Sequence, residues 1–170
     1  RDLDQAMFLE RTDAGYRIAY ALADAAYYVR PGTALFAEAA KRGASYYLPG
    51  FSIPMLPRAL SEGLVSLNPE VDRRAFVLDM QLDGSGELQS TRFVRARIHS
   101  HAKLSYPGVQ RFLDDPAGHP YAAAPFRETL ELLREVGERR MQLAFERDVV
   151  RYRRREVSIA TGSDGPRFTI

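Results

Sequence analysis

Two aspartates near the amino end, Asp2 and Asp4, are the residues whose types and spacing best suit chemistry. They precede an apolar run, and in an extended segment residues i and i+2 point to the same side, about 6.5 Å apart. Two ionised carboxylates this close repel each other when they are partly enclosed. A hard divalent cation such as Mg²⁺, which prefers carboxylate and water oxygens, would offset that repulsion. For an isolated Asp-x-Asp pair, however, a solvated loop is the commoner interpretation.

The composition is that of one globular domain, and it excludes several kinds of site. The chain has 170 residues, 45% of them hydrophobic and 27% charged, and no cysteine, which excludes disulfides, thiol catalysis and thiolate zinc sites. We therefore expect a reducing compartment and a cytoplasmic protein. No apolar run approaches the roughly 18 residues that span a membrane, and no signal-peptide pattern is present. Because the chain opens on Arg1 rather than Met, we expect a fragment or a trimmed protein.

Two β-hairpins are predicted where turn residues separate apolar-rich runs. The first joins residues 6–11 to residues 16–22, and its second run is apolar enough to be a strand buried on both faces. The second hairpin joins residues 75–82 to residues 88–98 through Asp-Gly-Ser-Gly. Its second strand has a basic and an apolar face. The residues of these two faces are Phe93, Arg95 and Arg97 on one side and Val94, Ala96 and Ile98 on the other.

Helices are predicted over residues 34–42, 106–113 and 122–150, with a short helical turn within residues 58–67. Thr33 and Ser105 are suitable N-caps, and Gly43 is a suitable end for the first helix. Apolar residues of the longest helix step by three or four, which predicts one stripe that faces the core. The stripe comprises Phe126, Leu130, Leu133, Gly137, Met141, Ala144, Phe145 and Val149.

Residues 45–57 form a segment with three prolines among aromatic residues, which can be neither a helix nor a central strand. We expect an irregular, ordered loop of the kind that often lines a site. Tyr47 lies in it and could be either a core aromatic or a stacking platform. We expect the polar loop over residues 114–120 to be dispensable and residues 167–170 to be a strand cut off in mid-sheet. These elements together predict an α/β domain of the α+β type, without internal repeat or domain boundary.

Three further features have a purely structural interpretation as well as a functional one. Asp24 follows a predicted buried strand, where an acid is more often a cap than a catalyst. His99 and His101 are two residues apart, but without a third ligand nearby in the sequence a surface pair is the favoured interpretation. The arginine cluster over residues 151–155 could be a solvated face or a phosphate contact, and both interpretations stay open.

Several separated blocks resemble the catalytic domain of the ribonuclease II and ribonuclease R family, the RNB domain. The blocks keep the family's order and spacing, and they are residues 1–6, 23–24, 28–32, 47–49, 53–57, 60–61, 66–69 and 103–106. The resemblance implies a mainly antiparallel mixed sheet flanked by helices. Since the family's domain is longer than this chain, it also implies that residues 1–170 are a single, partial domain, its amino-terminal half.

The family implies a 3′-to-5′ exoribonuclease that hydrolyses single-stranded RNA to nucleoside 5′-monophosphates with Mg²⁺, or with Mn²⁺ as an alternative. Carried onto this chain, Asp2 is a metal ligand and Asp4 is the acid most critical to catalysis. Asp24 matches a family acid that would support the site. Tyr47 matches an aromatic that stacks on a base, and Tyr106 matches a second tyrosine that contacts RNA.

Gln5 departs from the family, which has a further acid directly after Asp4. A glutamine carbonyl can still ligate a metal, but without charge, so we expect activity with weaker affinity for one of two ions. Strict extension would point Gln5 away from Asp4, and it would then contribute only if the backbone bends. We expect a monomer whose full-length protein carries accessory RNA-binding domains, with no membrane partner. The competing hypotheses are a non-catalytic RNA-binding module, its metal site weakened by Gln5, and a scaffold that keeps only the fold.

Overall fold

The computed structural model describes residues 2–48, 50–150 and 152, together with the backbone of residues 158–162 and 165–169. In chain order, the elements are β1 (Gln5–Thr12), β2 (Gly15–Ala23), α1 (Ala25–Tyr28), α2 (Ala34–Arg42), β3 (Tyr46–Leu48), β4 (Phe51–Ile53), a π-helix (Ala59–Leu64), β5 (Asp72–Asp83), β6 (Leu88–His99), α3 (Tyr106–Asp114), a 3-10 helix (Pro120–Ala123), α4 (Arg127–Glu146), β7 (Ser158–Gly162) and β8 (Gly165–Thr169).

The main sheet has the order β1-β2-β5-β6, and every neighbouring pair is antiparallel. Both predicted hairpins are therefore confirmed, as is the mainly antiparallel sheet with flanking helices. The prediction that the second strand is buried on both faces was wrong. Tyr16 and Ala21 of β2 are buried, but its remaining residues are half-buried, because helix and loop each cover only part of the sheet.

Two apolar clusters lie on opposite faces of this sheet, since side chains alternate along each strand. On one face, α4 packs Leu132 and Val136 against the strand residues Leu9, Tyr16 and Leu82. On the other face, Leu67 covers a patch of small residues, which includes Ala21, Ala75 and Val77. The segment that carries Leu67 is therefore fixed against the sheet from the side opposite to α4.

α4 is shorter than the predicted helix, and its buried stripe ends early. A separate 3-10 turn precedes it, and Asp148 has a φ of 53° just beyond its end. The predicted stripe is right at Leu130 and Leu133, but Met141 and Phe145 are 52% and 77% exposed. The carboxyl half of α4 lies beside the turn after β5, where Arg140 donates to the carbonyl of Gly86.

The predicted caps of the two shorter helices are confirmed. The side chain of Thr33 accepts a hydrogen bond from the backbone of Phe36, and Ser105 accepts one from Gly108. Gly43 follows α2 with a φ of 71°, a left-handed conformation that glycine adopts without steric cost. None of the described helices is long and apolar enough to cross a membrane.

The structure bears on four further predictions. The segment over residues 45–57 contains a small antiparallel hairpin, β3–β4, apart from the main sheet. The loop over residues 114–120 packs against the core at His119, whose ring lies 4.7 Å from Tyr121 and 5.7 Å from the fully buried Phe112, and whether it is dispensable stays a prediction. The strand expected to be cut off is β8, which pairs with β7 in a two-stranded sheet. In the arginine cluster, residues 151 and 153–155 lie outside the described residues.

Candidate functional site

The Asp2–Leu3–Asp4 run is held in an extended conformation by three hydrogen bonds. The backbone N–H of Ala23 donates to the carbonyl of Asp4 at 2.9 Å, which continues the β1–β2 ladder by one residue. On the other side, the N–H of Leu3 donates to the hydroxyl of Ser66 at 2.8 Å. The carbonyl of Leu3 accepts from the N–H of Leu67 at 2.7 Å. The run is therefore held by neighbouring chain segments on both sides. This supports the expectation that Asp2 and Asp4 point to the same side of an extended segment.

Asp2 and Asp4 line the same cavity, which has a volume of about 140 Å³. Asp2 is half-buried and Asp4 is exposed. Ser45, Ser61 and Ser66 also line it, while none of the described lining residues is an arginine or a lysine. Among the described residues no cation pairs with either carboxylate. The cavity therefore gathers negative charge that the described part of the protein leaves uncompensated.

A buried hydroxyl group without a partner also lies at this cavity. The Ser61 Oγ atom is buried and has no hydrogen-bond partner among the described residues, although buried polar side chains normally have one. The carboxylate oxygens of Asp2 and Asp4 are the kind of ligand that Mg²⁺ and its bound water molecules accept in proteins. The residues present therefore fit a hydrated magnesium ion.

Gln5 lies outside this cavity. The β ladder runs straight through Asp4 and Gln5, so their side chains point to opposite faces of the sheet. The Gln5 carbonyl accepts a hydrogen bond from the Tyr20 hydroxyl at 2.6 Å. The bend that would bring Gln5 to a shared metal is absent from this conformation, and its role as a ligand stays a prediction.

Asp24 directly follows Ala23, which pairs with Asp4 in the ladder. Its carboxylate nevertheless does not line the cavity of Asp2 and Asp4. It is 5% exposed and pairs with Arg95 at 3.2 Å. It occupies the N-cap position of α1 but makes no capping hydrogen bond. The structure thus separates Asp24 from the cavity of Asp2 and Asp4 and assigns it to a second one.

This second cavity, of about 420 Å³, is basic, because Arg73, Arg74, Arg95 and Arg97 line it along with two aspartates. The predicted basic face of β6 is confirmed by its part in this lining. The two arginines from β5 were missed, although the Arg-Arg pair at the start of a strand is visible in the sequence. The Arg74 guanidinium lies 3.9 Å from the centre of the Tyr27 ring, a cation–π contact that fixes its position.

The second aspartate of the basic cavity is Asp72. His99 lies within hydrogen-bond distance of its carboxylate, and this bond, followed by the charge of Arg97, holds the pKa of Asp72 below its usual range. Arg97 Nε lies 3.3 Å from the other oxygen. Four arginines against two aspartates leave the cavity with an excess of positive charge, so it could accept a phosphate group.

Tyr47 and Tyr106 are surface aromatics rather than core residues. Their exposures are 62% and 93%. Tyr47 lies on β3, and Tyr106 begins α3 directly after the Ser105 cap. Neither ring lines the acidic or the basic cavity. Both rings therefore lie at the surface, and the structure does not bring either one to the acids.

Residues 1–167 match the RNB domain. The chain is also similar to ribonuclease R of Vibrio parahaemolyticus, with 48% identity over 115 residues that make up 67% of this chain and 14% of that protein.

Among solved structures, it is similar to Mycoplasma genitalium RNase R in complex with double-stranded RNA, with a TM-score of 0.86 and 26% identity over 99% of this chain and 31% of that one. A match to the yeast pseudonuclease Ssd1 has a TM-score of 0.66 and 18% identity over 80% of this chain and 16% of that one, which shows a shared fold alone. The chain thus spans less than a third of each of these proteins.

Proposed function

The chain belongs to the RNB domain family, and we propose that its protein is an exoribonuclease that hydrolyses single-stranded RNA from the 3′ end to nucleoside 5′-monophosphates. The observation that carries this proposal is the acidic cavity. Two carboxylates share it, and no described arginine or lysine lines it. We propose that these two carboxylates bind Mg²⁺, with Mn²⁺ as the alternative.

In the proposed mechanism, Asp2 and Asp4 hold the metal through their carboxylate oxygens. When bound, the ion supplies an activated water and offsets the charge that develops on the scissile phosphate. Ser66 and Leu67 contribute indirectly, because their hydrogen bonds to Leu3 set the spacing of the two acids.

We further propose that Tyr47 and Tyr106 bind RNA by stacking on bases. Both rings are exposed, and stacking is worth about 1–3 kcal/mol per base without regard to sequence, which suits an enzyme that must accept any RNA. Substitution by alanine should weaken RNA binding, whereas phenylalanine should restore it. If the alanine variants bind RNA as the unaltered protein does, the rings are not part of the binding path.

Asp24 would support the site by holding Arg95 at the basic cavity rather than by binding the metal. We propose a cytoplasmic monomer whose RNA partner is also held by accessory domains, because the relatives are much longer than this chain. Sedimentation of the full-length protein would test the monomer, and limited proteolysis would test the accessory domains.

The direct test follows a 5′-labelled single-stranded RNA with the full-length protein, with Mg²⁺ and with chelator. A ladder of products that shortens from the 3′ end only with Mg²⁺ supports the proposal. Internal cleavage, or shortening that ignores the chelator, contradicts it.

A non-catalytic RNA-binding protein is the second candidate, and the basic cavity favours it. The arginines of that cavity are in place to contact phosphates, while Gln5, on the opposite face of the sheet, supplies the two acids with no further ligand. This candidate predicts tight, salt-sensitive RNA binding without shortening. A scaffold that keeps only the fold would show neither binding nor a dependence on salt.

A further inference from the structure

Beyond the acidic cavity, the structure brings three other metal-binding side chains together at the far end of β5 and β6. Glu70, His99 and His101 each offer one ligand atom, and these atoms all lie within 4.8 Å of one another. The sequence shows the two histidines but not Glu70, which is 29 residues away from His99. The fold therefore supplies the third ligand that is not visible near the two histidines in the sequence.

The backbone fixes the glutamate beside the strand that carries the histidines. Pro69 forms a parallel bridge with Ser100, and the N–H of Glu70 donates to the carbonyl of Ser100 at 2.7 Å. Ser100 separates His99 from His101, so this contact joins the two chain segments at the centre of the cluster. Glu70 has a φ of 60°, a left-handed conformation that is unfavourable for a residue with a side chain. The contact with Ser100 holds Glu70 in this conformation beside the histidines.

His99 already has the partner that a metal-binding histidine normally has. Its Nδ1 lies 2.9 Å from a carboxylate oxygen of Asp72, its cross-strand neighbour. An ionised carboxylate only accepts, so a neutral His99 carries its proton on Nδ1 and has a lone pair on Nε2. That Nε2 atom faces Glu70, whose Oε2 is 3.9 Å away. A carboxylate that orients a histidine in this way is the usual outer partner in metal sites.

We propose that Glu70, His99 and His101 form a Zn²⁺ site, with Asp72 orienting His99. Two imidazoles and one carboxylate are a donor set that Zn²⁺ accepts with a fourth position left for water. Ligand atoms around a tetrahedral Zn²⁺ stand about 3.4 Å apart at bond lengths of about 2.0–2.1 Å. Closing from 4.8 Å needs only rotation of exposed side chains. Mg²⁺ prefers oxygen ligands, so the two sites would take different metals.

The zinc site is distinct from the acidic cavity. Three strand spacings and about three residues of rise separate His99 from Asp4, which gives a distance of about 17 Å. The two are nevertheless linked along the chain, since Glu70 closely follows Ser66 and Leu67, which hold Leu3. A bound Zn²⁺ would tie this segment to the end of β6 and stabilise it.

The test measures Zn²⁺ binding to the full-length protein by competition with a chromogenic chelator, beside the His101→Gln and Glu70→Gln variants. Glu128→Gln, an exposed acid on α4, is the matched control. The unaltered protein and the control should bind one Zn²⁺ more than the two ligand variants. Asp72→Asn should keep that ion but bind it about 10–100 times more weakly.

Two readouts separate a metal site from a merely structural cluster. Co²⁺ added to the unaltered protein should give the visible absorption of a four-coordinate site with nitrogen ligands, and His101→Gln should remove it. Zn²⁺ should raise the melting temperature of the unaltered protein but not that of either ligand variant. Equal zinc stoichiometry and affinity in the unaltered protein and in both ligand variants would overturn the proposal, as would no binding to any of them.

Discussion

The hydroxyl of Ser66 accepts a hydrogen bond from the backbone N–H of Leu3 across 63 residues of sequence. Ser66 is 1% exposed, and Leu3 stands between the two acids of the candidate site. The relation explains how two aspartates that precede the first strand are held as firmly as strand residues. It also means that the positions of the two acids depend on Ser66, an uncharged residue that is distant in the sequence.

Ser66→Ala should lower the rate of Mg²⁺-dependent hydrolysis more than it lowers RNA affinity. The change leaves the partly buried N–H of Leu3 without its acceptor, which costs about 1–3 kcal/mol and frees the spacing of Asp2 and Asp4. Denaturant unfolding measures the loss of stability. Steady-state kinetics and RNA titration measure the changes in rate and in RNA affinity. Ser90→Ala, on an exposed part of β6, is the control. Unchanged kinetics in Ser66→Ala would show that this bond does not position the acids.

Gln5→Asp tests whether position 5 belongs to the metal site. Since Gln5 lies on the face opposite to the acidic cavity and its carbonyl is bound by Tyr20, we expect the Mg²⁺ concentration at half-maximal hydrolysis to stay the same. A metal titration of both proteins measures it. A marked fall in that concentration would show that the side chain reaches the ion, as the family resemblance implies.

Glu135 should make stability depend on pH in the acid range. Hydrogen bonds from Arg11, Tyr16 and Arg139 lower its pKa from 4.5 to about 2 in the folded protein. Because the folded-state pKa is the lower one, this stabilisation is fully present above about pH 4.5 and is lost as the pH falls towards 2. Melting temperatures measured downwards from about pH 6 should fall less steeply in Glu135→Gln. An identical slope in both proteins contradicts the assignment, and Glu128→Gln should keep the original slope.

Alanine substitutions of Leu132 and Phe145, both on α4, should differ sharply in how much they destabilise the fold. Leu132 is 4% exposed and packs on Tyr16 and Leu82, so Leu132→Ala should destabilise the fold by about 2–5 kcal/mol. Phe145 is 77% exposed, so Phe145→Ala should change stability by less than about 0.5 kcal/mol. Denaturant unfolding of both variants measures the difference. A large loss in Phe145→Ala would mean that another part of the protein covers that residue.

Local signals were enough for the short elements. Thr33 and Gly43 bound α2 because capping is chemistry within one turn, and the Asp-Gly-Ser-Gly turn sets the β5–β6 hairpin for the same reason. The stripe of α4 was predicted only in part. Periodicity shows which side chains share a helix face, but where the sheet ends beneath that face, after Val136, depends on tertiary packing.

The site shows the same division between local and distant information. The Asp2–Asp4 spacing was readable, because alternation in an extended chain is local. Ser61 and Ser66 come from a helical turn and a loop that only folding brings to the acids. Glu70 likewise joins His99 through a bridge between separate segments, and nothing in the spacing of the histidines reveals it.

The measurement that tests the central claim most directly compares Asp4→Asn with the unaltered full-length protein on a 5′-labelled RNA. Asp4 lines the acidic cavity and Asp13 lies in an exposed turn, so Asp13→Asn is the matched control. We expect Asp4→Asn to abolish Mg²⁺-dependent shortening from the 3′ end while RNA binding persists, and the control to remain active. Equal shortening by Asp4→Asn and by the unaltered protein would contradict a metal-dependent exoribonuclease site at Asp2 and Asp4.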